Sequence, residues 1–214
     1  MKKILLFIMT ALLLLAPIAA FAAEQTDPAA APQPPLSEEV PGPGPGSVPA
    51  GEDFTTAVDL SLHAVILALL NHDAVRFDPA DPVLAWESLY NMLSFYGQLD
   101  DRSEYRDGRL LIFSETVYDY AASVIPDFSI LDELPPFLAD RMEFSAEDDA
   151  FLVTCGTDSL SEIRATSAVL TGGQRLLTGS LIYLVDGSDL VQFRAVLEPA
   201  DNMFGFTLSG IELI

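Results

Sequence analysis

The feature that most constrains this chain is a change of hydrophobic period part-way along it. From Phe54 to about Phe144 the apolar residues recur at helical steps, whereas from Ala150 onward they fall in short runs divided by turn residues. The runs are Phe151–Cys155, Ile163–Thr171, Leu176–Val185, Leu190–Glu198 and Met203–Leu213, with turns at Gly172-Gly173, Asp186-Gly187 and Pro199-Ala-Asp-Asn202. Within the fourth run Val191, Phe193, Ala195 and Leu197 alternate with Gln192, Arg194, Val196 and Glu198, the period-two signature of a sheet with one dry face. Parallel neighbours need a crossover of about a dozen residues. The spacing therefore predicts an antiparallel meander of about five strands.

The helical half divides at its own punctuation. Thr55-Thr56 can cap a run, Ala57–Leu70, that is apolar on nearly every face, so this helix must be wrapped on several sides and is expected at the centre of the domain. Asp81-Pro82 places a cap residue before a first-turn proline. Val83, Trp86, Leu89, Tyr90, Leu93 and Tyr96 then follow at three- and four-residue steps, and Gly97 ends the run. Gln98–Gly108 reads as a polar connection and Leu110–Phe113 as a short strand. Ser114-Glu115 opens a third helix to about Val124, which Pro126 terminates. A short helical turn from Ser129 to Glu133 is stopped by Leu134-Pro-Pro-Phe137.

Helices first and strands after make an α+β fold: N-terminal helices packed on a C-terminal curled antiparallel sheet. This order of elements, with the closing hairpin from Leu190–Glu198 to Phe204–Ile211, resembles the cone-shaped fold of the ketosteroid-isomerase-like proteins over residues 54–214. The resemblance implies a pocket between sheet and helices, where enzymes of that fold place an acid or a histidine. No motif aligns to carry over a particular residue.

Ahead of this domain lie two segments of different character. Lys2 and Lys3, the apolar run Ile4–Ala16 broken by Thr10, Pro17, and the triplet Ala20-Phe21-Ala22 follow the order of a bacterial-type secretory signal peptide. Residues 1–22 are expected to be removed after Ala22. If uncleaved, the twenty residues from Ile4 to Ala23 are near the ~20 needed to span a bilayer and would anchor the chain by an N-terminal helix. No cysteine follows the run, which excludes acylation there. Residues 23–53 are rich in Pro, Gly, Ala and acids and hold no aromatic residue before Phe54. They cannot bury enough apolar surface to offset their chain entropy and read as a disordered linker; Pro32–Pro35 lacks the arginine or aromatic anchors of a proline-rich ligand.

Removing the two lysines leaves eight arginines against 32 acidic residues, a formal charge of −24. Such a chain repels nucleic-acid phosphates and anionic lipid head groups, leaving cations or basic partners open. Cys155 is the sole cysteine, so an intrachain disulfide is impossible; it is expected to be a small buried residue in a strand.

Candidates for chemistry are few. His63 lies in the apolar helix and could serve as a general base near neutral pH, or be a core histidine whose ring finds a partner. His72, in Asn71-His72-Asp73, is placed to cap that helix's carbonyl end. Two histidines and one cysteine are too few for zinc. For calcium, Asp100-Asp101, Glu104 and Asp107-Gly108 form one acidic cluster and Glu147-Asp148-Asp149 another, but neither matches Asp-x-Asp-x-Asp-Gly, so both read as solvated loops. There is no Gly-x-Ser-x-Gly, Cys155-Gly-Thr-Asp-Ser159 reads as a turn, and Gly172-Gly173-Gln174 lacks the lysine of a phosphate loop. No catalytic or metal residue, and no cofactor, is therefore expected. The expected function is an exported, non-enzymatic binding or interaction domain on a flexible tether, with a protein or small-molecule partner and an edge strand that could pair two copies. The alternatives are a small pocket enzyme of the isomerase or dehydratase type, using His63 or an aspartate, and a calcium-stabilised envelope protein.

Overall fold

The computed structural model describes residues 52–156 and 160–214, with side chains from Val58 onward. The expected signal peptide (1–22) and nearly all of the expected linker (23–53) lie outside the described residues. Among the described residues, no helix is long and apolar enough to cross a membrane.

Three α-helices fall between Glu52 and Ala121, interleaved with short strands. α1 spans Glu52–Asn71, α2 Pro82–Tyr96 and α3 Ser114–Ala121. α2 begins where the sequence predicts, because the Asp81 carboxylate accepts from the Val83 and Leu84 amides and Pro82 occupies the first turn. Every residue of α2 from Leu84 to Ser94 is buried. It packs against α1, α3, the short helical turn Phe128–Leu131 and the strand Ala150–Val153. α1 is covered on several sides as expected, yet the central place is held by α2. The two helices are joined by the Asn91 amide, which donates to the Ala64 carbonyl at 3.1 Å.

The strands are β1 (Arg76–Phe77), β2 (Glu104–Arg106), β3 (Arg109–Phe113), β4 (Met142–Ser145), β5 (Ala150–Val153), β6 (Ser161–Thr171), β7 (Gln174–Tyr183), β8 (Asp189–Pro199) and β9 (Phe206–Leu213). The fold is α+β, and the meander β6–β9 is antiparallel throughout. Gly172 and Gly173 close its first hairpin with φ of 60° and 87°, the left-handed conformation that a two-residue hairpin turn requires. Phe193, Ala195 and Leu197 are buried while Gln192, Arg194 and Glu198 are exposed, as the alternation predicts.

The sheet composition differs from the reading above in three respects. Phe151–Cys155 does not join the meander: β5 pairs instead with β3 and β4, setting Leu110 opposite Val153 and Phe144 opposite Phe151. The fifth strand of the larger sheet is the two-residue β1, whose Phe77 is buried opposite Ile211 of β9. Gln98–Gly108 is also not merely a connection, since Glu104–Arg106 forms a hairpin with β3 across Asp107 and Gly108, at φ 51° and 81°. The outcome is two sheets, with strand orders β1-β9-β8-β7-β6 and β2-β3-β5-β4, rather than one curled sheet. The physical cause is that Leu110, Leu111 and Ile112 are all fully buried, and strand backbone taken out of water must find pairing partners.

A buried ionic network ties the helical end of the molecule together. Glu87 of α2 is only 3 % exposed and accepts two hydrogen bonds from the Arg141 guanidinium, at 2.9 and 3.3 Å, and one from the Asn71 amide at 3.2 Å. Arg141 also lies over the Tyr90 ring, 4.4 Å from its centroid. His72 caps α1 through its backbone amide, which donates to the Ala68 carbonyl, while its ring stands 3.9 Å from Glu87 and edge-on to Phe137.

Candidate functional site

Among the described residues, two places stand out for the side chains they gather. The first is an open cleft of about 610 Å³, a size that suits a small organic ligand. α2 contributes its floor, Trp86, the sole tryptophan of the chain. Its indole N–H donates to the Ile130 carbonyl at 3.1 Å, which fixes both the ring and the Phe128–Leu131 turn beside it. One wall is aromatic and comes from the smaller sheet: Phe151 stands 6.3 Å from Trp86 and 5.1 Å from Phe144 between ring centroids. Tyr118 of α3 also lines the cleft, paired with Phe128 at 5.4 Å. Phe144 and Tyr118 remain 47 % and 43 % exposed, so both side chains are partly accessible to an occupant.

The rim is built of carboxylates. Glu115 lies in the first turn of α3, Asp132 and Glu133 follow the helical turn, and Asp149 closes the connection between β4 and β5. Asp149 holds a left-handed φ of 48°, and its carboxylate accepts from the Ser114 hydroxyl at 2.8 Å while its carbonyl accepts from the Ser114 amide. That pair locks the start of α3 to the β4–β5 turn. Among the described residues no lysine, arginine or histidine lines the cleft.

The second place surrounds His63, which is 3 % exposed. Its Nδ1 lies 2.5 Å from the Tyr96 hydroxyl and its Nε2 3.0 Å from the Ser161 hydroxyl. Asp59 sits one helical turn earlier on α1 and Glu162 follows Ser161 on β6. Burial lowers the His63 pKa to about 4, so the ring is neutral at pH 7, with one nitrogen donating and the other accepting. Burial, reinforced by Asp59, raises Tyr96 to about 12. Burial, reinforced by Glu162, raises Asp59 to about 6. The arrangement can hold a proton in place along Ser161, His63 and Tyr96, and it pins α1, α2 and β6 to one another.

The remaining sequence candidates are dispersed. Asp100 is gripped by Arg102, which also reaches Asp119, and Glu104 and Asp148 share Arg106. Among the described residues no group of three or more His, Cys, Asp or Glu side chains is set to hold a metal ion. Cys155 is not a buried strand residue: it lies beyond the end of β5, half-buried, where the Tyr105 hydroxyl approaches its sulfur at 3.8 Å. Ser159 lies outside the described residues. The cleft has no signature in the sequence because its residues come from five short segments between Trp86 and Phe151 with no shared motif; the cluster Asp81-Pro82 to Trp86 and the acids near Pro135 carry no binding pattern of their own. In comparisons with family models, curated proteins and solved structures, nothing matches this chain.

Proposed function

We propose that this chain is an exported, non-enzymatic binding domain, carried on the proline-rich segment 23–53, whose ligand occupies the cleft between Trp86, Tyr118, Phe144 and Phe151. The observation that carries the reading is the cleft itself: ligand-sized, floored by a pinned tryptophan, and walled by aromatic rings left open to solvent. Exposed aromatic faces gathered in one concavity mark an interaction site, because scattered apolar residues on a surface need no explanation but a gathered set does. Export is supported by the order of Lys2, the apolar run and Ala20-Phe21-Ala22.

The test is a small-molecule screen by thermal unfolding, with Trp86 fluorescence as the second readout. A ligand present at about 100 times its Kd stabilises the folded state by about 2.7 kcal/mol. Phe144→Ala, at a half-exposed position, is expected to cost about 1 kcal/mol of stability and to remove the ligand's effect on both readouts. Ligands that stabilise the Phe144→Ala protein as strongly as the parent would place binding elsewhere.

A second reading, a small pocket enzyme, is favoured by one observation: His63 meets a tyrosine and a serine in hydrogen-bonding range, with Asp59 a turn away. As a general base, His63 would give activity that rises with pH through about 4, where its own proton leaves. Turnover of enolisable ketones or esters that is lost in His63→Gln, with the fold retained, would establish it. Equal rates in both proteins would end it.

A further inference from the structure

Resting on the cleft reading, we propose that the ligand is a small organic ammonium ion: a positively charged head on an apolar body. Among the described residues the lining carries four carboxylates, Glu115, Asp132, Glu133 and Asp149, and no basic side chain. Among the described residues none of these four forms an ion pair, although five arginines neutralise carboxylates elsewhere: Arg76 with Glu212, Arg102 with Asp100 and Asp119, Arg106 with Glu104 and Asp148, Arg109 with Glu143, and Arg141 with Glu87. Carboxylates without an arginine partner are common on this acidic chain; what sets the cleft apart is that four of them line one concavity together with aromatic side chains. A negative rim over aromatic faces attracts cations twice, by the carboxylate field and by the ring quadrupoles, and alkylammonium heads are recognised in this way because they are too weakly hydrated to resist leaving water. An anion is repelled by the rim, and a neutral body gains only the apolar floor. The concavity of about 610 Å³ suits a small molecule better than the flat contact of a folded partner.

The experiment compares three probes that share one body, 4-phenylbutyltrimethylammonium, 4-phenylbutanol and 4-phenylbutanoate, titrated into the purified full chain while Trp86 fluorescence and calorimetric heat are followed. The ammonium probe is expected to bind about tenfold or more tighter than the alcohol, with the carboxylate weakest. The ammonium advantage should shrink as salt rises. The combined substitution Glu115→Gln, Asp132→Asn and Glu133→Gln is expected to bring ammonium and alcohol near parity, with a circular dichroism spectrum like that of the parent. Equal binding of ammonium and alcohol by the unsubstituted protein overturns the ammonium assignment while leaving the cleft as a site. Failure of all three probes to bind overturns the cleft reading itself. A capped lysine or arginine peptide that binds tighter than the ammonium probe overturns the assignment to a small molecule.

Discussion

At the scale of single residues, the molecule depends on a few buried polar groups whose partners come from far along the chain. Glu87 is the clearest case, since its carboxylate has left water and survives on the Arg141 guanidinium and the Asn71 amide. Arg141→Ala would strip the charge partner and the cover over Tyr90 at once. It is expected to cost about 3 kcal/mol, read as a lower urea midpoint at unchanged slope; a shift of a few tenths would mean that solvent replaces the guanidinium. The Asp59 and His63 pair makes a pH prediction. Asp59 titrates at about 6 in the fold, above its ordinary 3.8, so the folded state takes up a proton first and Asp59 adds stability as pH falls from about 6 to 4. His63 titrates at about 4, below its ordinary 6.5, so the unfolded state takes up the proton first and stability is lost as pH falls from about 6.5 to 4. The two contributions oppose each other across nearly the same window. Asp59→Asn removes the favourable one, and the variant is expected to lose stability more steeply than the parent between pH 6.5 and 4 in denaturant unfolding. Parallel curves would show that Asp59 is solvated and ordinary.

At the scale of elements, the larger sheet is shaped by a glycine that no hydrophobic pattern announces. A β-carbon on Gly179 of β7 would lie 2.5 Å from the Arg164 carbonyl and 2.9 Å from the Phe193 ring. This close approach sits beside the bulge between Ala165 and Ser167 of β6, and backbone cannot withdraw as a flexible side chain can. Gly179→Ala is therefore expected to destabilise by about 2 kcal/mol or more. Gly210 of β9 is the control, because a β-carbon there meets nothing within 4 Å; Gly210→Ala is expected to be neutral or to stabilise by about 0.5 kcal/mol. Equal midpoints for the two variants in thermal unfolding would refute the argument. The smaller sheet teaches a related lesson. Asp107-Gly108 between Tyr105 and Leu110 is a two-residue hairpin signal. The polar character of the surrounding residues, exposed on both faces of β2, hid the strand that this turn serves.

At the scale of the whole molecule, the folded domain carries a large excess of negative charge on an apolar interior. With eight arginines against 26 acids from residue 54 onward, self-repulsion opposes compaction, and screening relieves it. The melting temperature is expected to rise between about 10 mM and 150 mM sodium chloride, where the Debye length falls from about 30 to 8 Å; a fall would mean that the arginine ion pairs outweigh the general repulsion. The α+β class, the α2 boundaries, the antiparallel meander and its glycine turns were all readable from the chain, because each is encoded within a few neighbouring residues by period, cap or turn chemistry. The acidic surface was readable too, since charge is a sum over composition. What only the tertiary structure decided is which segments meet: β5 taking β3 and β4 as partners, β1 reaching β9 across the length of the domain, and four short stretches converging on Trp86. Those choices rest on non-local packing, where the burial of Leu110–Ile112, Trp86 and Phe77 selects one pairing among several that local pattern allows equally, and no residue carries that selection by itself.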